Sequence, residues 1–188
     1  PVVPELGLPQ DAAVRFLFPH APEMPVTING GMSMPAWYDI KAMDIDRVVD
    51  TEQLKASADA VARMVDREIE RGIPANRIII AGFSQGGAVA YELGLSYPER
   101  LAGILALSTY FATANTLEPA DANRGIPINV YHGPATKPIR WSTACVWKKS
   151  RTSAALSVST PCKGSRLRWW APANAVAPVR CALQLVNC

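Results

Sequence analysis

Three consecutive isoleucines, Ile78-Ile79-Ile80, run directly into Ala81-Gly82-Phe83-Ser84-Gln85-Gly86-Gly87, and this junction constrains the fold more than any other feature of the chain. An uninterrupted β-branched run reads as a strand buried on both faces, the pattern of a parallel sheet. Residues 85–96, QGGAVAYELGLS, read as a helix despite their glycines, with Pro98 just past the end. Residues 102–108 (AGILALS) and 128–132 (INVYH) read as further buried strands, the second following a turn at Gly125-Ile126-Pro127. Upstream, VRFLF at 14–18 is a short apolar strand ended by Pro19. From Glu52 to Arg71, Leu54, Ala58, Val61, Val65 and Ile69 recur at helical spacing, with charges on the other face and Gly72 and Pro74 as stops. This alternation predicts an α/β fold, a mainly parallel sheet flanked by helices. Residues 19–39, rich in Pro and Gly, read as one long loop, and loops of that length in a compact domain usually carry function.

Charge divides the 188 residues into two parts. All 16 acidic residues lie at or before Asp121, whereas residues 134–188 hold nine of the 19 basic residues, four of the five tryptophans and all four cysteines. The sequence therefore predicts a partial α/β core over 1–133 and an atypical, acid-free, poorly ordered tail over 134–188. A change of reading frame near codon 133 would produce such a break. Read from the third base of the Gly133 codon, the third new residue comes from an NAC codon, which admits Asp. The basic residues of the tail are scattered without period and form no nucleic-acid-binding module. Cys145, Cys162, Cys181 and Cys188 allow three disulfide connectivities, but their separations contain no CxxC pair of the kind that holds zinc. No apolar run approaches the roughly 20 residues of a membrane helix. PVVPELGLPQ shows no basic region followed by an apolar stretch, so a secretory signal is not expected and a cytoplasmic location is.

Gly82-Phe83-Ser84-Gln85-Gly86 fits G-x-S-x-G, the pattern of a sharp strand-to-helix turn that thrusts a serine hydroxyl out of the sheet. Glycines on either side remove side chains that would clash there. Ser84 is the candidate nucleophile, and the backbone N–H of Gln85, at the positive end of the following helix, is the expected oxyanion donor. The simpler alternative is a Gly-rich turn with no chemistry.

FLFPHAPEMPVTINGG, MPAWYDI, IIIAGFSQGGAVAYELGL and ILALSTY, in this order and spacing over about residues 12–133, resemble the bacterial carboxylesterase and acyl-protein thioesterase family. The resemblance implies an α/β-hydrolase fold and a Ser–Asp–His triad hydrolysing carboxylic esters or thioesters. It implies no metal or organic cofactor, a small-molecule ester or thioester as partner, and room for a homodimer. It puts Trp37 and Tyr38 near the acyl pocket, although plain packing accounts for the pair equally well. The chain also departs from the family. Nothing before Val14 supplies the family's first strands and their HGxG-like oxyanion turn. Pro134-Ala135-Thr136 stands where an HGxxD acid belongs, and the only histidines, His20 and His132, occupy other positions than that of the triad base. The triad Asp and His are therefore assigned to no residue, and the sequence leaves two expectations: an impaired serine esterase, or a hydrolase-like protein that binds without turnover.

Overall fold

The computed structural model describes residues 2–9, 11–42, 48–131, 158–159 and 181–185. The elements in chain order are α1 (Val2–Glu5), β1 (Arg15–Leu17), β2 (Glu23–Val26), β3 (Met32–Pro35), β4 (Ile40–Ala42), β5 (Val48–Val49), α2 (Thr51–Glu70), β6 (Ile78–Phe83), α3 (Gln85–Ser96), β7 (Gly103–Leu107), β8 (Ile128–Tyr131), β9 (Val158–Ser159) and β10 (Cys181–Leu185), with short 3₁₀ turns between some of them. Six strands form one sheet in the order β1-β10-β6-β7-β8-β9, and every pairing in it is parallel. The α/β expectation thus holds.

Asp50 starts α2 by accepting the backbone N–H of Gln53 at 3.0 Å, a side-chain cap that satisfies one of the donors every helix start leaves over. Leu54, Ala58, Val61 and Val65 are buried as the periodicity requires, each larger aliphatic contributing about 1.5–3 kcal/mol. Glu68 departs from the expected charged face. It is buried, and Arg15 of β1 and Arg71 reach its carboxylate at 3.5 and 3.0 Å. An ion pair with half-exposed arginines is how a helix tolerates a carboxylate on its inner side.

Helix α3 is buried from Gln85 through Leu95 and packs on β6 and β7, with α2 against it. Its glycines make this approach possible. A Cβ on Gly87 would lie 2.4 Å from Thr109 and one on Gly94 2.6 Å from Ile104. The residues that weaken the helix by propensity are thus the ones that let it sit close on the sheet. In β6, Ile78 and Ile80 are fully buried and Ile79 partly so, which is the doubly covered strand the isoleucine run predicts.

One sequence expectation needs correction. The stretch 19–39 is no single loop: it contains an antiparallel hairpin in which Glu23–Val26 pair Met32–Pro35 around a 3₁₀ turn at Thr27–Asn29. Pro25 and Pro35 conceal it, because proline is a poor strand signal except at an edge, where this two-stranded unit leaves it. The stretch 134–188 lies mostly outside the described residues, yet two pieces of it are strands. Val158–Ser159 pair β8, and Cys181–Leu185 fill the slot between β1 and β6. The first lies in SAALSVS (153–159), which by composition passes for a strand, whereas nothing local marks Cys181–Leu185, because a five-residue parallel strand is specified by distant partners rather than by its own pattern.

Candidate active site

The site grows from the end of β6. Ser84 follows Phe83 with φ 51° and ψ −118°, a conformation a non-glycine residue adopts only when its surroundings enforce it, at a cost of about 1–3 kcal/mol. The enforcement is visible on three sides. The Ser84 N–H donates to the Leu107 carbonyl at 3.0 Å, which ties the turn to β7. The Ser84 carbonyl accepts from the Gly87 N–H at 3.0 Å and from the Thr109 hydroxyl at 2.5 Å. The third constraint is space. A Cβ on Gly82 would meet the Gly86 carbonyl oxygen at 2.1 Å, so the strand end and the helix start touch backbone to backbone.

Ser84 stands at the N-cap of α3 but does not spend its hydroxyl on capping, and it is partly exposed, beside the 44% exposed Phe83. Among the described residues, no hydrogen bond reaches its Oγ. Gln85 is the first helical residue, at the end of α3 where backbone N–H groups precede the helix's own ladder and favour negative charge.

The Gln85 side chain is buried (4% exposed) and reaches 48 residues back. Its Oε1 accepts from the Trp37 N–H at 3.1 Å, and its Nε2 donates to the Tyr38 carbonyl at 2.7 Å. Trp37 and Tyr38 belong to the hydrophobic core, at 2% and 0% exposure. The Ser57 hydroxyl of α2 holds the Trp37 carbonyl, and the Tyr38 and Tyr110 hydroxyls lie 2.6 Å apart. The pair therefore packs in the core and also braces the residue after Ser84. Neither Thr109 nor the Gln85 side chain was singled out from sequence. The available signal was Gln85 itself, a polar side chain at the start of a helix otherwise apolar or small over its first six residues.

Asp39 anchors the far end of this loop. Its carboxylate accepts from the Thr27 hydroxyl and backbone N–H, both at 2.7 Å, and its own N–H donates to Gln53 Oε1. The Thr27 hydroxyl, then the Thr27 N–H, then nearby Lys41 hold this carboxyl below the usual carboxylate range. A carboxyl with a lowered folded pKa contributes stability that is full above its unfolded value near ~4 and is lost as pH falls through the folded value. Protection of the Thr27 amide against hydrogen exchange, corrected for intrinsic rate, should therefore fall as the pH drops below about 4. Asp39→Asn should show weaker protection that no longer depends on pH. The buried Tyr91 phenol is pushed up to about 12 by desolvation, which keeps it neutral in any assay near neutrality.

His20 is exposed in the turn after β1, and His132 lies outside the described residues. Asp121 is exposed and paired with Arg124. Among the described residues, no group of three or more His, Cys, Asp or Glu could hold a metal ion, and no helix is long and apolar enough to cross a membrane.

The profile of the Phospholipase/Carboxylesterase family matches residues 9–158, past the Gly133 at which the residue-by-residue resemblance ends. Acyl-protein thioesterase 1 of Gibberella zeae is 41% identical over 129 residues, covering 64% of this chain and 55% of that protein. Acyl-protein thioesterase 1 of Neurospora crassa is 40% identical over 137 residues, covering 68% and 56%. The crystal structure of Arabidopsis thaliana SOBER1 superposes with a TM-score of 0.65 at 27% identity, covering 71% of this chain and 65% of that one. The chain thus spans about half the length of the curated relatives it matches.

Proposed function

Since the chain belongs to the phospholipase/carboxylesterase family of α/β hydrolases, we propose that it is a serine hydrolase of carboxylic esters or thioesters in which Ser84 is the nucleophile. The observation that carries this reading is the strained Ser84 at the tip of β6, partly exposed and with a hydroxyl not committed to its own helix. Ser84 Oγ attacks the carbonyl carbon and its proton passes to solvent water, which returns a proton to the leaving group as the tetrahedral adduct collapses. The resulting oxyanion is held by the Gln85 N–H and the N-terminal end of α3. The alkoxide or thiolate departs with a proton, and water then cleaves the acyl-serine to free acid. The names of the relatives favour a thioester of an acylated protein, with simple short-chain esters as surrogate substrates. The same reading takes no metal or organic cofactor, has a small-molecule or acyl substrate as partner, and puts the protein in the cytoplasm.

The second reading, a hydrolase core that binds without turnover, is favoured by one specific fact: no acidic residue follows Asp121 and neither histidine matches the triad position. One comparison separates the two. Members of a triad act as a unit, so once the base is lost, removal of the serine costs little more. With a working serine, Ser84→Ala should lower kcat/KM for a nitrophenyl ester by roughly a hundredfold or more. Identical rates for the two chains would instead select the binding reading.

A further inference from the structure

Three chain segments close into one hydrogen-bonded ring around the turn at Ser84. From Gln85, the carboxamide crosses to Trp37 and Tyr38; from Tyr38, the hydroxyl meets that of Tyr110; from Thr109, the neighbour of Tyr110, the hydroxyl returns to the Ser84 carbonyl. Every link but the tyrosine pair is a bond between a side chain and the backbone, so the ring fixes main-chain positions rather than side-chain ends. Its members are drawn from the elbow, the stretch before β4 and the stretch after β7; the β6–β7 pairing and the Ser84 to Leu107 bond already tie the first to the last, and the ring adds the stretch before β4. We propose that the Gln85 carboxamide is a positioning residue: by anchoring to both peptide groups at Trp37 and Tyr38, it sets the direction of the Gln85 backbone N–H relative to Ser84 Oγ. The proposal deepens the serine-hydrolase reading and rests on it for the meaning of that direction.

The argument is one of degrees of freedom. A residue at the first helical position is held by the helix on its C-terminal side only, and Ser84 on the other side sits in a conformation it would leave if released. An amide that accepts at one end and donates at the other cannot rotate about its terminal bond without breaking both links, so it fixes its own backbone as well as the loop. Such a network in a buried setting holds geometry more firmly than isolated pairs do. An oxyanion donor displaced by a fraction of an ångström still binds substrate but stabilises the transition state less.

The test uses the full chain, with two readouts: hydrogen exchange of the Trp37 amide, and kcat and KM for p-nitrophenyl acetate. Gln85→Met keeps the length of the side chain and removes both polar ends. Trp37 exchange should accelerate and kcat should fall, each by roughly tenfold or more, with KM changed by less than about twofold. Gln85→Glu retains an acceptor for the Trp37 N–H but, when ionised, cannot donate to the Tyr38 carbonyl. Its kcat relative to wild type at the same pH should be low near pH 8 and recover as the pH falls through the carboxyl titration, because the protonated acid regains a donor. A merely structural side chain would not produce this recovery. Wild-type exchange and kcat in Gln85→Met overturn the proposal, as does a Gln85→Glu ratio that is flat with pH. If Gln85→Met does not fold, the Gln85→Glu profile decides. Absence of Ser84-dependent turnover in the wild type contradicts the hydrolase reading instead, and Trp37 exchange in the two variants then decides the clamp on its own.

Discussion

Gly82→Ala should leave a chain that cannot close the turn at Ser84, with a loss of about 3 kcal/mol or more in folding stability. The reason is local and steric. The new Cβ would lie 2.1 Å from the Gly86 carbonyl oxygen and 2.5 Å from the Gly87 nitrogen, and both are backbone atoms of the first turn of α3. A flexible side chain could move aside, but this backbone cannot without pulling α3 away from β6. That would break the Ser84 to Leu107 and Gly87 to Ser84 bonds together. Gly125→Ala is the control, because a Cβ there meets nothing within 4 Å and its effect should stay within about 0.5 kcal/mol. Urea unfolding followed by circular dichroism measures both. Equal midpoints for the two variants would show that the elbow is not packed as described.

Removal of residues 181–188 should be at least as damaging, costing on the order of 4 kcal/mol and leaving a chain prone to association. β10 lies between two parallel strands, pairing β1 over three residues and β6 over five. Without it, the strand that carries Ser84 loses its partner on one side and presents unpaired N–H and C=O groups to any extended chain nearby. Leu183→Pro is the sharper version. Leu183 stands opposite both Leu17 and Ile80, and proline there cannot donate to the ladder. Thermal and denaturant midpoints, with light scattering to detect association, distinguish the outcomes. A truncated chain as stable and monodisperse as the full one would mean that β10 contributes nothing to the sheet in solution.

These two predictions also mark what could be read from the amino-acid order. The elbow was legible because its information is local: an isoleucine run for the buried strand, glycines where backbones touch, and a helix that follows at once. Helix α2 was legible for the same reason, down to its apolar face. What escaped was long-range. Cys181–Leu185 is specified by partners about 100 and 165 residues away in sequence, in a segment whose composition pointed elsewhere. The hairpin at Glu23–Pro35 was masked by its prolines, and the burial of Glu68 depends on two arginines, one of them 53 residues upstream. At the site, Ser84 and Gln85 could be named from the motif. The ring through Tyr38, Tyr110 and Thr109 could not, because hydrogen bonds between distant loops leave no periodic trace.

The most direct measurement of the central claim is the intact mass of the protein after exposure to an alkyl fluorophosphonate, followed by peptide mapping. Such a reagent bonds to a serine oxygen only where that oxygen is nucleophilic and the phosphoryl oxygen can be stabilised. A single adduct on the peptide that contains Ser84, absent from Ser84→Ala, is the predicted result. No adduct, or one that persists in Ser84→Ala, would contradict the assignment of Ser84 as the nucleophile.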